Sequence, residues 1–440
     1  MKKPYFDIHD PDHVIFLVIA AAFVERLIMF FWLGSGALND SDDVGYVQCG
    51  IEFARSGTIS MWSAYPTALI MPAMPVVTGI FSMIFGEGNA YIDAVRICWI
   101  ILGCITVYFF YASSCFFVRK WLAVLASCAF LLPNWAWSDN AFLTEPPYLL
   151  FWMINFYYSL LISEDETADK KHILCYVLSF MAALMFRANI LTMPLFTAVY
   201  LFIIKKRKLR TYLPHLIALI SALLIFIVPW SVRNYRLFDE FIPLTSGSAN
   251  PLLLGTYQGS TAPSDDTLDY ETNVYSVIRE EYAEYFGENG LLKDPIRGAE
   301  IANANDKLKA QYRLREWFKR DPKGLIWSYL FSKPACMLNW VWCWLPIPAL
   351  YYTLHYISMF NLILCVLAVV LSLVLRKKRP EVLFLSVMYL FNIYTFAFSF
   401  ASERYAAMSV PIRYIIAVIG IEIVCQLAAE KKFFKVESGK

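Results

Sequence analysis

The chain has 440 residues, of which 59% are hydrophobic and 17% charged, with a mean hydropathy of +0.51 and a formal net charge of +2. A soluble domain is usually about 45–50% apolar, so this composition is that of an integral membrane protein. The near-neutral balance argues against a nucleic-acid or strongly acidic partner. Ten cysteines are scattered singly, mostly in apolar segments and with no CxxC or metal-ligand spacing, and read as small core residues.

The N-terminal MKKPYFDIHDPDH has no short apolar region with a cleavage site, so the apolar run at 14–34 reads as a retained anchor. Glu25-Arg26 sits midway along that run; a charge there must face protein, and a structural pair is expected. Beyond it lies NDSDDVGYVQ (39–48), with Asp40, Asp42 and Asp43 inside four positions. Further runs near the ~20-residue spanning length fall at 92–118, 121–138, 141–162, 172–190, 190–204, 212–230, 349–375, 381–401 and 406–427. The stretches 66–85, with three prolines, and 325–347, with Lys333-Pro334 and four tryptophans, read as helices in the outer interface. Between the last two groups of spans, 299–322 has helical apolar spacing and should stop at Arg320-Asp321-Pro322.

Six basic clusters fix an orientation. Lys2-Lys3, Arg119-Lys120, Lys170-Lys171, Lys205 to Lys208 with Arg210, Arg376 to Arg379 and Lys431-Lys432 all fall on one side if ten crossings are counted, and by the positive-inside rule that side is cytoplasmic. The expectation is an all-α integral membrane protein of about ten transmembrane helices with interfacial helices and a small extracytoplasmic region. Residues 1–230 form an N-terminal transmembrane module with outer loop 35–91, residues 231–348 an extracytoplasmic segment, and 349–440 the C-terminal helices, both termini being cytoplasmic.

This topology gathers charge of both signs at the outer face. The acids are Asp42, Asp43, Asp139, Glu145 and Glu403; the cations are Arg187, Arg233, Arg236, Lys333 and Arg404. Acids gain nothing beside anionic lipid, and such a mixture suits a reaction that removes a proton and releases an anion. In an extended segment Asp42 and Asp43 point to opposite sides, so one can reach a cleft while the other braces the loop. A transporter or flippase would instead place charges near the midplane and show inverted repeats. A polysaccharide polymerase or ligase would not need the early acidic pair.

The order of motifs resembles a known family. Asp42, Asp43 and Tyr46 form acid-acid-x-x-Tyr after the first span, and Leu143-Thr144-Glu145-Pro146 opens a later one. PWSVRNYRLFDEFIPLTSGSANPLLLG (229–255), ERYAAMSVP (403–411), Arg96 entering the second span and FKRDPKGLIWSYLFSKP (318–334) follow the same pattern. It is similar to the GT-C membrane glycosyltransferases, in the branch of the protein O-mannosyltransferases and the lipid A aminoarabinose transferase. The resemblance implies an inverting glycosyltransferase that takes a sugar from a polyprenyl-phosphate donor to a hydroxyl of a glycan, lipid or protein acceptor at the outer face. It implies Asp42 as catalytic base, Asp43 beside it, and Asp139 and Glu145 as a second acidic element. Lys333 and Arg404 are expected on the donor phosphate, with Arg187 and Arg233 next, and Glu403 and Tyr405 are expected to fix the Arg404 fork. A divalent metal is compatible with this chemistry, and no spacing demands one. The chain departs from the pattern at Tyr65-Pro66, where many relatives carry a His-Pro-Pro or Pro-Pro-Leu element. The Asn39-Asp-Ser acceptor site for N-glycosylation, beside the expected base, favours a bacterial plasma membrane.

Overall fold

Backbone groups in hydrocarbon must bond within their own segment, which leaves helices as the natural solution for spans of this pattern. The structure, a computed structural model, describes residues 9–164, 169–287, 291–339 and 341–437, with side chains as far as Glu430. Lys2-Lys3 and the side chains of Lys431-Lys432 lie outside the described residues. Among the described residues there is no strand, only two isolated bridges.

The first outer loop follows α1 (Pro11–Leu33) and holds α2 (Asp42–Ser56) and α3 (Ala73–Phe85). Helices α4 (Asn89–Ser114), α5 (Lys120–Ser127), α6 (Pro133–Asn140), α7 (Glu145–Leu161), α8 (Lys170–Phe186), α9 (Met193–Val199) and α10 (Leu209–Phe238) build the N-terminal bundle. The outer segment contains α11 (Ala249–Gly255), α12 (Ser276–Glu281), α13 (Gly298–Arg320), α14 (Pro322–Trp327) and α15 (Lys333–Leu338). The chain closes with α16 (Pro348–Leu375), α17 (Arg379–Ala397), α18 (Glu403–Ala406) and α19 (Val410–Glu437).

Each expected crossing falls on one of these helices or on a chain of them. Among the described residues six helical segments are long and apolar enough to cross a bilayer, and the pair Lys120–Leu131 and Pro133–Asn140, bent by 63°, makes a seventh if it is one span. The other three expected crossings correspond to α7, α8 and the segment Ala188–Ile204; the first two have 17 residues each, about 25 Å of helix. That is slightly short of a ~30 Å hydrocarbon core, so these helices suit positions inside the bundle, and α7 is mostly buried there. In contrast, α10 and α16 expose most of their surface, including Ile225, Val228, Phe360 and Val374, as lipid-facing helices do. With 13 residues, α3 is too short to cross.

Ion pairs sort the two ends of the bundle. At one end Lys120 pairs with Asp12, Arg119 with Glu422 at 3.0 Å, Lys205 with Glu164 at 3.1 Å and Lys377 with Glu430 at 2.5 Å. The basic clusters Arg119-Lys120, Lys205 to Lys208 and Arg376 to Arg379 thus each find an acid on or beside a neighbouring helix.

The opposite end carries the outer segment, fastened at two places. Arg233 donates to Thr67 C=O at 2.9 Å, Ser246 N–H to Ala68 C=O at 2.9 Å and Thr245 Oγ1 to Leu69 C=O at 2.5 Å. Gln258 exchanges two hydrogen bonds with Ala401, Nε2 to C=O at 2.7 Å and N–H to Oε1 at 2.8 Å. Gly255 permits this approach, since a Cβ there would lie 1.5 Å from Ser399 O. Within the segment the fully buried Arg313 organises the turn before α12: it donates to Thr256 Oγ1, the Tyr270 hydroxyl and Pro263 C=O, contacts Asp265 and lies over the Tyr257 ring. Helix α13 ends at Asp321, which is non-helical before Pro322.

By the positive-inside rule the basic end is expected to be cytoplasmic. Reporter fusions after Lys208 and Arg379 should read cytoplasmic, and fusions at Gly259 and Ser402 external. An external reading at Lys208 would remove the ten-crossing arrangement.

Candidate active site

Four elements bring their ends together around one guanidinium. Arg404, on α18, is 7% exposed. Its Nε and Nη2 donate to Glu145 Oε1 and Oε2 at 2.5 and 3.3 Å, and its Nη1 donates to Asp42 Oδ2 at 2.6 Å. Glu145 opens α7 and Asp42 opens α2, and both carboxylates gain from the positive end of a helix. Arg187, the extended residue that ends α8, adds a second cation: its Nη1 donates to Glu145 Oε1 at 2.6 Å and to Thr144 Oγ1 at 3.0 Å. The Tyr405 ring lies under Arg187, 5.2 Å from its guanidinium carbon, and stacks on Phe396. Tyr46 lines the same space, one helical turn after Asp42; burial pushes its phenol above the ordinary range.

Two carboxylates and two guanidiniums make this cluster neutral, and the geometry gives each a distinct place. Glu145 is nearly sealed and saturated by two arginines, whereas the Asp42 side chain is 40% exposed and only its Oδ2 is engaged. Asp42 Oδ1 is therefore the open carboxylate oxygen of the cluster. Asp43 turns the other way. It is fully buried and accepts from the N–H groups of Asn39, Ser41 and Val44 and from Asn39 Nδ2, closing the turn that starts α2. The two acids do diverge, but not by the alternation of an extended segment. They occupy successive positions of a helix, about 100° apart.

Lys333 faces inward. Its Nζ is buried without a hydrogen-bond acceptor, 3.3 Å from the centroid of the Tyr329 ring, and sits beside Gly255, where a Cβ would lie 3.1 Å from it. Burial pulls the amine down to about 7. An ammonium so placed lacks the acceptor that would offset its desolvation.

Four expected site residues have other work. Asp139 lies in the bundle and accepts from Arg26 Nε at 2.7 Å; Gly103 makes room for it, since a Cβ there would lie 2.0 Å from Asp139 Oδ2. Arg26 thus takes its counter-charge mainly from α6, while Glu25 stands 4.0 Å off. Arg96 is fully buried, ties α4 to Asn140 and Gly34 C=O, and pairs with Asp93 of its own helix while covering the Phe30 ring. Arg233 is consumed by Thr67 C=O and Asn234 between the Trp230 and Phe238 rings, so it braces the first outer loop. Glu403 is not a partner of Arg404, whose fork is fixed by Asp42 and Glu145. Two features of the site do not emerge from the sequence: the pairing itself and the aromatic cover of Lys333. For the second, the spacing Tyr329 to Lys333, one helical turn, is the available signal.

Among the described residues no group of three or more His, Cys, Asp or Glu is placed to hold a metal ion. Asp42 and Glu145, the two carboxylates that would share a cation, already share Arg404, so this donor set does not fit a metal bound between them.

Comparisons with known proteins agree with this architecture. Residues 67–231 match the family model described as dolichyl-phosphate-mannose-protein mannosyltransferase. The oligosaccharyltransferase of Archaeoglobus fulgidus superposes over 98% of this chain and 52% of its own, at 12% identity and a TM-score of 0.58. The chain has a GT-C fold. The oligosaccharyltransferase AglB from Archaeoglobus fulgidus, solved with an inhibitory peptide and a dolichol-phosphate, gives 11% identity and a TM-score of 0.56 over 97% of this chain and 52% of that one. This GT-C chain therefore spans about half the length of the archaeal protein. ArnT from Cupriavidus metallidurans, solved with undecaprenyl phosphate, aligns over 94% of this chain and 78% of its own at 15% identity and a TM-score of 0.42. No curated protein sequence matches the chain.

The placement of Asp139 has a measurable consequence. Asp139→Ala leaves Arg26 buried without its partner and should lower stability by about 3–5 kcal/mol, read as a fall in the unfolding midpoint in detergent. Unchanged stability would show that the pair is not the counter-charge of Arg26.

Proposed function

We propose that the chain is an inverting glycosyltransferase that moves a sugar from a polyprenyl-phosphate donor to an acceptor hydroxyl at the outer face of a bacterial plasma membrane. The observation that carries this reading is the open Oδ1 of Asp42, held in place by an arginine that is itself fixed by a buried glutamate. The archaeal enzyme of the same fold, solved with a dolichol-phosphate, supports a lipid-phosphate donor, as does the mannosyltransferase family model.

The chemistry follows from the positions. An acceptor hydroxyl attacks the anomeric carbon from the face opposite the phosphate, and its proton passes to Asp42 Oδ1 as the new C–O bond forms. The C–O bond to the phosphate breaks with its electron pair, and polyprenyl phosphate leaves with one additional negative charge. Arg404 keeps Asp42 aimed, so its role is positioning. Arg187 offers its remaining N–H groups to the departing phosphate. Lys333 is the expected phosphate ligand whose charged atom has no hydrogen-bond acceptor from the protein, and a phosphate oxygen supplies the acceptor it lacks. The phosphate assignment thus narrows from four cations to Lys333 and Arg187.

Asp42→Asn should keep the fold and lower transfer from a panel of polyprenyl-phosphate sugars by roughly 10²-fold or more, the scale of a positioned general base. Asp43→Asn should instead lower stability by opening the turn before α2. Near-normal turnover of Asp42→Asn would remove it from the base role.

Lys333 makes donor binding depend on pH. A phosphodiester donor keeps one negative charge across neutral pH, while the amine is protonated below about 7 and neutral above it. Donor KM should therefore rise as pH increases from 6 to 8.5, and Lys333→Arg, which stays charged, should flatten the profile. A wild-type donor KM that is constant over this range would sink the assignment of Lys333 to the phosphate.

A further inference from the structure

The turn at residues 59–67 takes no part in the ion-pair cluster, yet it is held firmly beside it. Its base is pinned by the bridge between Ser60 and Pro66 and by Thr67 N–H donating to Ile59 C=O at 2.9 Å. Inside it Trp62 has φ of 61°, in the left-handed region that a bulky side chain avoids. Such a conformation persists only where the surroundings over-determine it. Trp62 is also 55% exposed, with Tyr65 of the same turn 46% exposed.

Its indole is nonetheless oriented. A Cβ built on Gly45 would lie 2.8 Å from Met61 Cε and 3.0 and 3.1 Å from Trp62 Cε2 and Cδ2. The last two are the atoms shared by the indole rings, and the rings themselves block approach to them within the plane. A neighbour can reach both only through a face. The indole therefore sets one face against Gly45, and its 55% exposure leaves the opposite face as the accessible one. Gly45 follows Asp42 by three positions on α2 and Tyr46 follows it by four, so both lie on the Asp42 side of that helix.

We propose that the outward face of Trp62 is the acceptor platform of the transferase, stacking against the C–H face of a saccharide ring and presenting one of its hydroxyls to Asp42 Oδ1. This rests on the transferase reading given above. The platform belongs to the acceptor because it stands on the helix that carries the base, whereas the unpartnered cation Lys333 lies against Gly255 in the outer segment. A saccharide is the chemistry that fits: a pyranose has an apolar C–H face for the indole and a rim of hydroxyls for the carboxylate. Its place against the base's helix makes Trp62 a specificity-determining residue, with no proton to transfer.

The test uses the full-length protein in nanodiscs prepared without sugar detergents. Saturation-transfer difference NMR with mannotriose, maltotriose and chitotriose should give ring C–H signals for at least one saccharide with the wild type and with Asp42→Asn. Trp62→Gly, which removes the ring and suits the left-handed backbone, should reduce them about 5-fold or more, and Trp62→Phe should retain most of them, as expected of an aromatic contact. No signal with the wild type, or undiminished signals in Trp62→Gly, overturns the platform. The second result combined with weaker quenching of the variant by brominated lipid would assign Trp62 to the headgroups instead. Saccharide signals that depend on Trp62 in a protein that releases no sugar from any polyprenyl-phosphate donor would leave the platform standing and remove the transferase reading.

Discussion

A buried guanidinium shared by two carboxylates is stable only if all three arrive on supports that cannot drift, because each ion has lost its hydration and depends on the others. Arg404 sets that condition here. Its partners lie 259 and 362 residues away in the chain, at the starts of α7 and α2. The surrounding structure serves the meeting. α7 is packed between α4 and α8, Arg187 closes the far side of Glu145, and Asp43 locks the turn from which α2 begins. Around this cluster the lipid-facing helices and the polar outer segment differ in what they touch, while the ends of four helices stay in register.

The same logic separates the reactive acid from its neighbours. Glu145 has every oxygen engaged, Asp139 is committed to Arg26, and Asp43 is surrounded by N–H groups. Only Asp42 combines an anchored oxygen with an open one. An acid that must accept a proton at a defined point needs both, since anchoring fixes its direction and openness gives substrate its place. Lys333 follows the inverse pattern among the cations: the arginines are occupied by protein groups, and it alone of the expected phosphate ligands has its charged atom buried and unpartnered.

Much of this was legible in the sequence. Apolar run lengths and basic clusters marked the helices, and the acidic pair with the Thr144-Glu145-Pro146 and Glu403-Arg404-Tyr405 stretches marked the elements that converge. What the sequence withheld was partnership. Asp139 looked like an outer-loop acid because it follows a tryptophan near the end of an apolar run, but the 63° bend before α6 carries it inside. Arg26 held the missing clue: the adjacent Glu25 lies a third of a turn away on the helix and cannot face the same neighbour, so a counter-ion from elsewhere was required. Arg233 and Arg96 looked available because much of what holds them is distant backbone, Thr67 C=O for the first and Gly34 and Asn140 C=O for the second, which a residue pattern does not display. The tilt of Lys333 toward the protein depends on how α15 meets Gly255 and Ser399, a contact between segments distant in the chain.

The reciprocal bond between Gln258 and Ala401 gives the outer segment an unusual status. Through it, and through Gly255 against Ser399, the stretch of chain just outside the bilayer is registered to a loop three residues before Arg404. An insertion between 255 and 258 would act as a change of length in the linkage that sets the arginine. Residues 265–281 bond to Tyr257, Tyr312, Arg313, Arg320 and one another, all within the outer segment, and make no such link to the loop before Arg404. Sequence drift is thus mechanically free on the rim of the segment and forbidden at its hinge, so new surfaces can be explored above the site while its geometry is inherited unchanged.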